Sequence, residues 1–269
     1  MDEPVTGIRM QTKVTGRGAP LVLVPGGLTG WLSWEPHAER LSATRQAIRV
    51  QLIAVQYGLE QLALPEGYSL RTESHALQAA LNGLGPAEPL DLVAWSYGAA
   101  ITLDFALNHP QRVRTLALIE PPAVWALGAD KPQGRDYGTL WALAQTIKDD
   151  VSEEQLEQFA RAVGLCPPGV SPRDLPQWQV WLHHRQSLRG GVSAPLVHRD
   201  DPARLRAFQR PVLLVKGTGS APWLHQVLDR LAGQLPRGQV LELPSGHAPQ
   251  IVSMDRFLEQ LSAFQSAER

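Results

Sequence analysis

Three short stretches concentrate nucleophilic and acid–base side chains. In Leu92-Val93-Ala94-Trp95-Ser96-Tyr97-Gly98-Ala99 an apolar run meets a serine and then at once a helical pattern, with small residues two before and two after it. Holding a serine oxygen clear of a sheet edge demands a sharp backbone turn, and larger side chains at 94 and 98 would strike the neighbouring strand and helix. Ser96 is therefore a candidate nucleophile. His247 lies in Leu243-Pro244-Ser245-Gly246-His247-Ala248-Pro249, between an apolar run and a helical pattern. An imidazole there can take up a proton and return it near neutral pH. Glu120 directly follows the apolar run 113–119. A carboxylate at the end of a buried strand is costly unless paired, and an imidazole protonated during turnover is a suitable partner.

These residues need a scaffold. Short apolar runs at 8–14, 21–24, 48–55, 90–94, 113–119, 212–216 and 240–243 read as strands. Helical patterns at 72–84, 97–108, 222–235 and 249–264 fall between them. Such alternation predicts an α/β fold, a mostly parallel central sheet flanked by helices. From Leu21 onward most of the runs are β-branched or leucine-rich and largely apolar, the mark of strands covered on both faces. Residues 122–207 break the rhythm, with helical segments split by Pro and Gly. Ser152 and Gln155 have capping-box spacing, and Leu175, Trp178, Trp181, Leu182 and Leu188 share one broad helical face. A stretch this long between two strands exceeds an ordinary connection. It is expected to be an inserted helical lid, with 1–121 and 208–269 forming the core.

Lys and Arg number 25 against 26 Asp and Glu, so the chain lacks the basic excess of a general nucleic-acid binder. The single cysteine, Cys166, excludes an intrachain disulfide and points to a reducing compartment. Met1-Asp2-Glu3-Pro4 has neither a basic nor an apolar leader pattern, and no run is long enough to span a membrane. A cytoplasmic location and a small-molecule substrate are expected. His183 and His184 are adjacent and point to different helix faces, which makes them poor metal co-ligands.

In its motifs the chain resembles the α/β-hydrolase family. The stretch around Ser96 is similar to that family's G-x-S-x-G elbow, with Ala94 replacing the first glycine. Val24-Pro25-Gly26-Gly27 stands where the family has H-G-x, so the resemblance implies an oxyanion hole made by the Gly27 and Tyr97 amides. His247 matches the family's G-H-x-P histidine. Most members carry an aspartate after the strand represented here by 212–216. This chain has Gly217-Thr218-Gly219-Ser220 instead, and Ser220→Ala is expected to change little. A minority place the acid after the preceding strand, which implies Glu120 and the order Ser96, Glu120, His247. The fold would bring Trp31 and Trp95 near the pocket, and of the lid tryptophans Trp125 and Trp178 are expected to face it. The resemblance implies acyl transfer to water, on an ester or lactone of a small, moderately apolar molecule, without a metal or organic cofactor. Dehalogenases and epoxide hydrolases of this fold use an aspartate nucleophile, so Ser96 argues against both. A carbon–carbon bond hydrolase, an amidase with the same triad and a non-hydrolytic small-molecule binder are the alternatives.

Overall fold

The computed structural model describes residues 8–132 and 134–268; the opening segment read as lacking a leader lies outside them. Seven strands form one sheet in the order β1-β3-β2-β4-β5-β6-β7. They are β1 (Thr12–Thr15), β2 (Ala19–Val24), β3 (Arg45–Val50), β4 (Leu90–Trp95), β5 (Val113–Ile119), β6 (Val212–Gly217) and β7 (Gly238–Leu243). Only the β1–β3 pairing is antiparallel.

Alternate residues of each central strand enter different cores. Val22, Val24, Leu92, Ala94, Leu116 and Leu118 pack on one face with the helix Tyr97–Asn108. Leu21, Leu23, Val93, Trp95, Ala117 and Ile119 pack on the other with Trp34 and Phe257. Two apolar faces on a period of two are what make these strands read as unbroken hydrophobic runs.

Three element boundaries differ from the sequence reading. The run 48–55 is not one strand: β3 ends at Val50 and a helix, Ile53–Leu59, begins. Periodicity cannot separate a buried strand from a buried helix. Here the carboxylate of Glu73 accepts the Ile53 and Ala54 N–H groups at 2.8 Å and starts the helix. The first strand pairs from Thr12, not from Ile8. The last helix is broken at Ser253 into Pro249–Val252 and Met254–Ala267.

Between β5 and β6 the described residues hold helices and turns and no strand, among them Arg135–Thr146, Glu153–Ala162 and Trp178–His184. Ser152 and Gln155 make both reciprocal capping bonds, at 3.2 and 3.0 Å. No helix among the described residues is long and apolar enough to cross a membrane.

Candidate active site

Register aligns the carboxyl ends of five strands at one edge. Val24 pairs with Ala94, Trp95 with Ile119, Ile119 with Val215, and Gly217 with Leu243. The residues that follow them, Gly27, Ser96, Glu120, Ser220 and His247, therefore gather over one crevice, the usual ligand position in such sheets.

Ser96 stands at the turn from β4 into the helix Tyr97–Asn108 with φ 53° and ψ −123°. A non-glycine residue in this region costs on the order of 1–3 kcal/mol. Its amide is held by the Ile119 carbonyl at 2.8 Å. The turn can form because position 98 is glycine: a Cβ there would lie 2.1 Å from the Pro25 carbonyl oxygen. Glu120 is also left-handed, at φ 45°. Two strained residues end adjacent strands, and they are the candidate nucleophile and the candidate acid.

The imidazole of His247 joins them. Its Nε2 lies 2.8 Å from Ser96 Oγ and its Nδ1 lies 2.6 Å from Glu120 Oε2. An ionised carboxylate only accepts, so Nδ1–H donates to Glu120 and Nε2 accepts the Ser96 hydroxyl. The backbone of His247 is pinned on both sides: its N–H donates to Gly164 at 2.8 Å, and its carbonyl accepts the Trp95 indole at 2.7 Å. Glu120 is wholly buried. Its second oxygen accepts the Gly217 N–H at 2.8 Å and the Ser220 hydroxyl. That closeness again needs glycine, since a Cβ at 217 would sit 2.1 Å from the Gly246 oxygen.

Ser220 thus has a part that the sequence reading did not give it. The hydroxyl at the usual aspartate position solvates a carboxylate supplied by the neighbouring strand. The run of small residues after β6 was the available signal, because it lets that loop close over Glu120.

Ser96, His247, Gly27 and Tyr97 border a cavity whose remaining wall is apolar, with Leu140, Phe159, Leu188 and Leu196 from the helical segment. Tyr97 also provides the first N–H of its helix, which has no intrahelical acceptor. Among the described residues no Lys or Arg lines this cavity. The tryptophan bordering it is Trp223, at the start of the helix Pro222–Gln234. None of the four expected tryptophans does. Strand alternation sends Trp95 to the opposite face, where it holds the His247 loop. Trp31 lies under the Lys13 ammonium at 4.4 Å. Trp125 stands edge-on to His198 and borders a separate cleft with Tyr137 and Trp141. Trp178 is buried within the helical segment, with the Arg173 guanidinium over its ring.

Asp104, His198 and Asp200 bring potential ligand atoms within 4.8 Å of one another. The Arg204 guanidinium already pairs with Asp200 at 2.6 Å. A fixed positive charge there fits an ion-pair network joining the helical segment to the helix Tyr97–Asn108 better than it fits a cation site.

A family model described as the alpha/beta hydrolase family matches residues 21–260. The pimeloyl-[acyl-carrier protein] methyl ester esterase of Nitrosomonas europaea is 25% identical, over 93% of this chain and 97% of that protein. The 2-hydroxymuconate semialdehyde hydrolase of Pseudomonas sp. strain CF600 is 30% identical, over 96% and 90%. A thermophilic esterase from Thermogutta terrifontis superposes with a TM-score of 0.75 at 18% identity, covering 96% of this chain and 93% of that one. Likeness at that identity speaks to the fold.

Proposed function

The chain belongs to the alpha/beta hydrolase family, and on that premise we propose that it is a serine hydrolase cleaving a carboxylic ester or lactone of a small, moderately apolar molecule. The observation that carries this reading is the unbroken hydrogen-bond chain from Ser96 through His247 to a buried Glu120, ending beside an apolar cavity.

In this mechanism Ser96 Oγ attacks the acyl carbonyl while its proton passes to His247 Nε2. Glu120 holds the resulting imidazolium through Nδ1–H, as a triad acid does. The Gly27 and Tyr97 amides receive the oxyanion, each contributing about 3 kcal/mol to the barrier reduction. Collapse of the tetrahedral intermediate expels the alcohol, which takes the proton from Nε2. Water then repeats the sequence on the acyl-enzyme, and the acid is released. Residues 122–207 act as a lid that keeps the acyl chain in an apolar surround.

The hydroxymuconate hydrolase relative favours a second reading, carbon–carbon bond hydrolysis by the same three residues. The cavity lining weighs toward uncharged esters, because among the described residues no Lys or Arg lines it to meet a buried anionic substrate.

A fluorophosphonate probe should label Ser96, and Ser96→Ala should abolish both labelling and turnover of short p-nitrophenyl esters, a loss of about 10⁴-fold or more. A folded wild-type chain showing neither labelling nor turnover would instead be a binding protein on this fold. Preferential cleavage of a vinylogous diketone over every ester tested would favour the carbon–carbon reading.

A further inference from the structure

The acyl-transfer mechanism uses the backbone N–H of Tyr97 and makes no use of its side chain, which is 2% exposed and nevertheless polar. The ring of Tyr97 lies along the other oxyanion donor: a Cβ at Gly27 would stand 3.3 Å from Tyr97 Cδ1. It also borders Gly191, a glycine of the helical segment whose Cβ would sit 3.8 Å from the Gly27 carbonyl oxygen. The phenol hydroxyl reaches a second polar cluster, largely buried. Its hydroxyl lies 3.0 Å from that of Tyr68, and the Tyr68 hydroxyl lies 2.5 Å from Glu73 Oε1. Glu73 is 0% exposed and accepts the Ile53 and Ala54 amides as well. With the carboxylate accepting, the direction of the chain follows: Tyr68 donates to Glu73 and Tyr97 donates to Tyr68. The positive end of the helix Ile53–Leu59 faces the carboxylate and offsets its charge.

We propose that Glu73, Tyr68 and Tyr97 form a brace that fixes the spacing of the Gly27 and Tyr97 amides and so positions the oxyanion hole. The inference rests on the serine-hydrolase reading above. An aromatic ring could fill this space as phenylalanine. What the hydroxyl adds is direction, because a hydrogen-bonded phenol has one rotamer and one depth, and its Cα carries the donor. Two amides aimed at a developing charge lose their advantage when either drifts, since preorganisation is where their contribution comes from. Tyr68 and Glu73 are thus positioning residues that touch no substrate.

The test uses a p-nitrophenyl ester that the wild-type chain hydrolyses and a trifluoromethyl ketone of matching chain length. Ser96 Oγ adds to the ketone carbon, the hydroxyl proton moves to His247, and the adduct carries its negative oxygen in the oxyanion hole. Tyr97→Phe and Tyr68→Phe should each lower kcat about 10-fold with KM within about twofold of wild type. Ketone affinity should fall by the same factor, and affinity for the corresponding carbinol, which forms no oxyanion, should hold. The double variant should be no slower than the slower single variant, because either change cuts the same chain. Should Tyr68→Phe fail to fold, Tyr97→Phe carries the test alone, since it removes one hydroxyl and leaves Tyr68 bonded to Glu73. Wild-type kcat in Tyr97→Phe, or equal losses of ketone and carbinol affinity, overturns the brace while leaving the triad reading intact. A wild-type chain that neither labels with fluorophosphonate nor turns over ester overturns both.

Discussion

Two fully buried carboxylates, Glu120 and Glu73, flank the candidate active site and have closely similar surroundings. Glu120 accepts one backbone N–H, one serine hydroxyl and one ring N–H. Glu73 accepts two backbone N–H groups and one tyrosine hydroxyl. Each sits where uncompensated burial would be prohibitive, and each is solvated by about three donors. They differ in the last partner. The imidazole beside Glu120 can gain and lose a proton during a reaction. The phenol beside Glu73 keeps its proton, because burial and the neighbouring carboxylate both push Tyr68 well above the usual tyrosine range. On the proposed mechanism and the proposed brace, one construction of donors serves a proton relay in one place and a fixed strut in the other. What the terminal group can do decides the role.

The sharpest way to break this comparison is to neutralise the carboxylate next to the imidazole. In Glu120→Gln one amide oxygen can still accept from Gly217 and Ser220, but the amide nitrogen then faces His247 Nδ1. That forces the imidazole proton onto Nε2, where it can no longer accept the Ser96 hydroxyl. A loss of about 10²–10⁴-fold in kcat is expected, with the chain still folded. Steady-state kinetics and a thermal melt on the same sample check this. A variant within a few-fold of wild type would mean that Glu120 is a strut like Glu73.

The next effect is smaller. Ser220→Ala removes one donor from Glu120 and leaves the Gly217 amide and the imidazole in place. Losing one hydrogen bond to a charged group costs about 1.5 kcal/mol, so kcat should fall about 10-fold. Ser220→Thr, which keeps the hydroxyl, should recover part of it. This replaces the expectation from sequence that Ser220 is inert. An unchanged rate in Ser220→Ala would show that two donors already suffice.

The difference between the two sites also explains how much could be read in advance. Glu120 follows an unmistakable apolar strand, and Ser96 and His247 follow two others, so strand order alone brings them to one edge. The parallel sheet was legible because residues such as Leu92 and Val93 fill opposite cores and leave no polar interruption. Glu73 and Tyr68 had no such signal. They meet Tyr97 through a helix, Ile53–Leu59, whose residues Ile53, Ala54 and Val55 follow β3 after only Gln51 and Leu52 and prolong its hydrophobic pattern. The carboxylate that converts strand into helix lies some 20 residues downstream, as the Glu73-to-Ile53 bond records. Side-chain direction was equally hidden. Trp95 neighbours the nucleophile in sequence, but the pleat turns it to the far face, and Trp223 enters the cavity wall from a helix that composition did not distinguish.

The smallest effect separates the strut's charge from its shape. Burial is the largest influence on Glu73 and raises its pKa above the ordinary value of 4.5, while Tyr68 and the Ala54 and Ile53 amides pull it partway back. The folded chain therefore holds this proton more tightly than the unfolded chain does. Between 4.5 and the raised folded value, native protein binds more protons than unfolded protein, so Glu73's contribution to stability declines as pH rises. The decline can be no steeper than about 1.4 kcal/mol per pH unit and levels off once the buried carboxyl ionises. Glu73→Gln lacks this titration. Urea unfolding of both chains at steps upward from pH 4.5 should show the advantage of wild type over Glu73→Gln shrinking with pH and then becoming flat. An advantage that grows with pH would mean that the three donors outweigh burial. The carboxyl would then ionise below its ordinary range, its donors prevailing over the cost of burial.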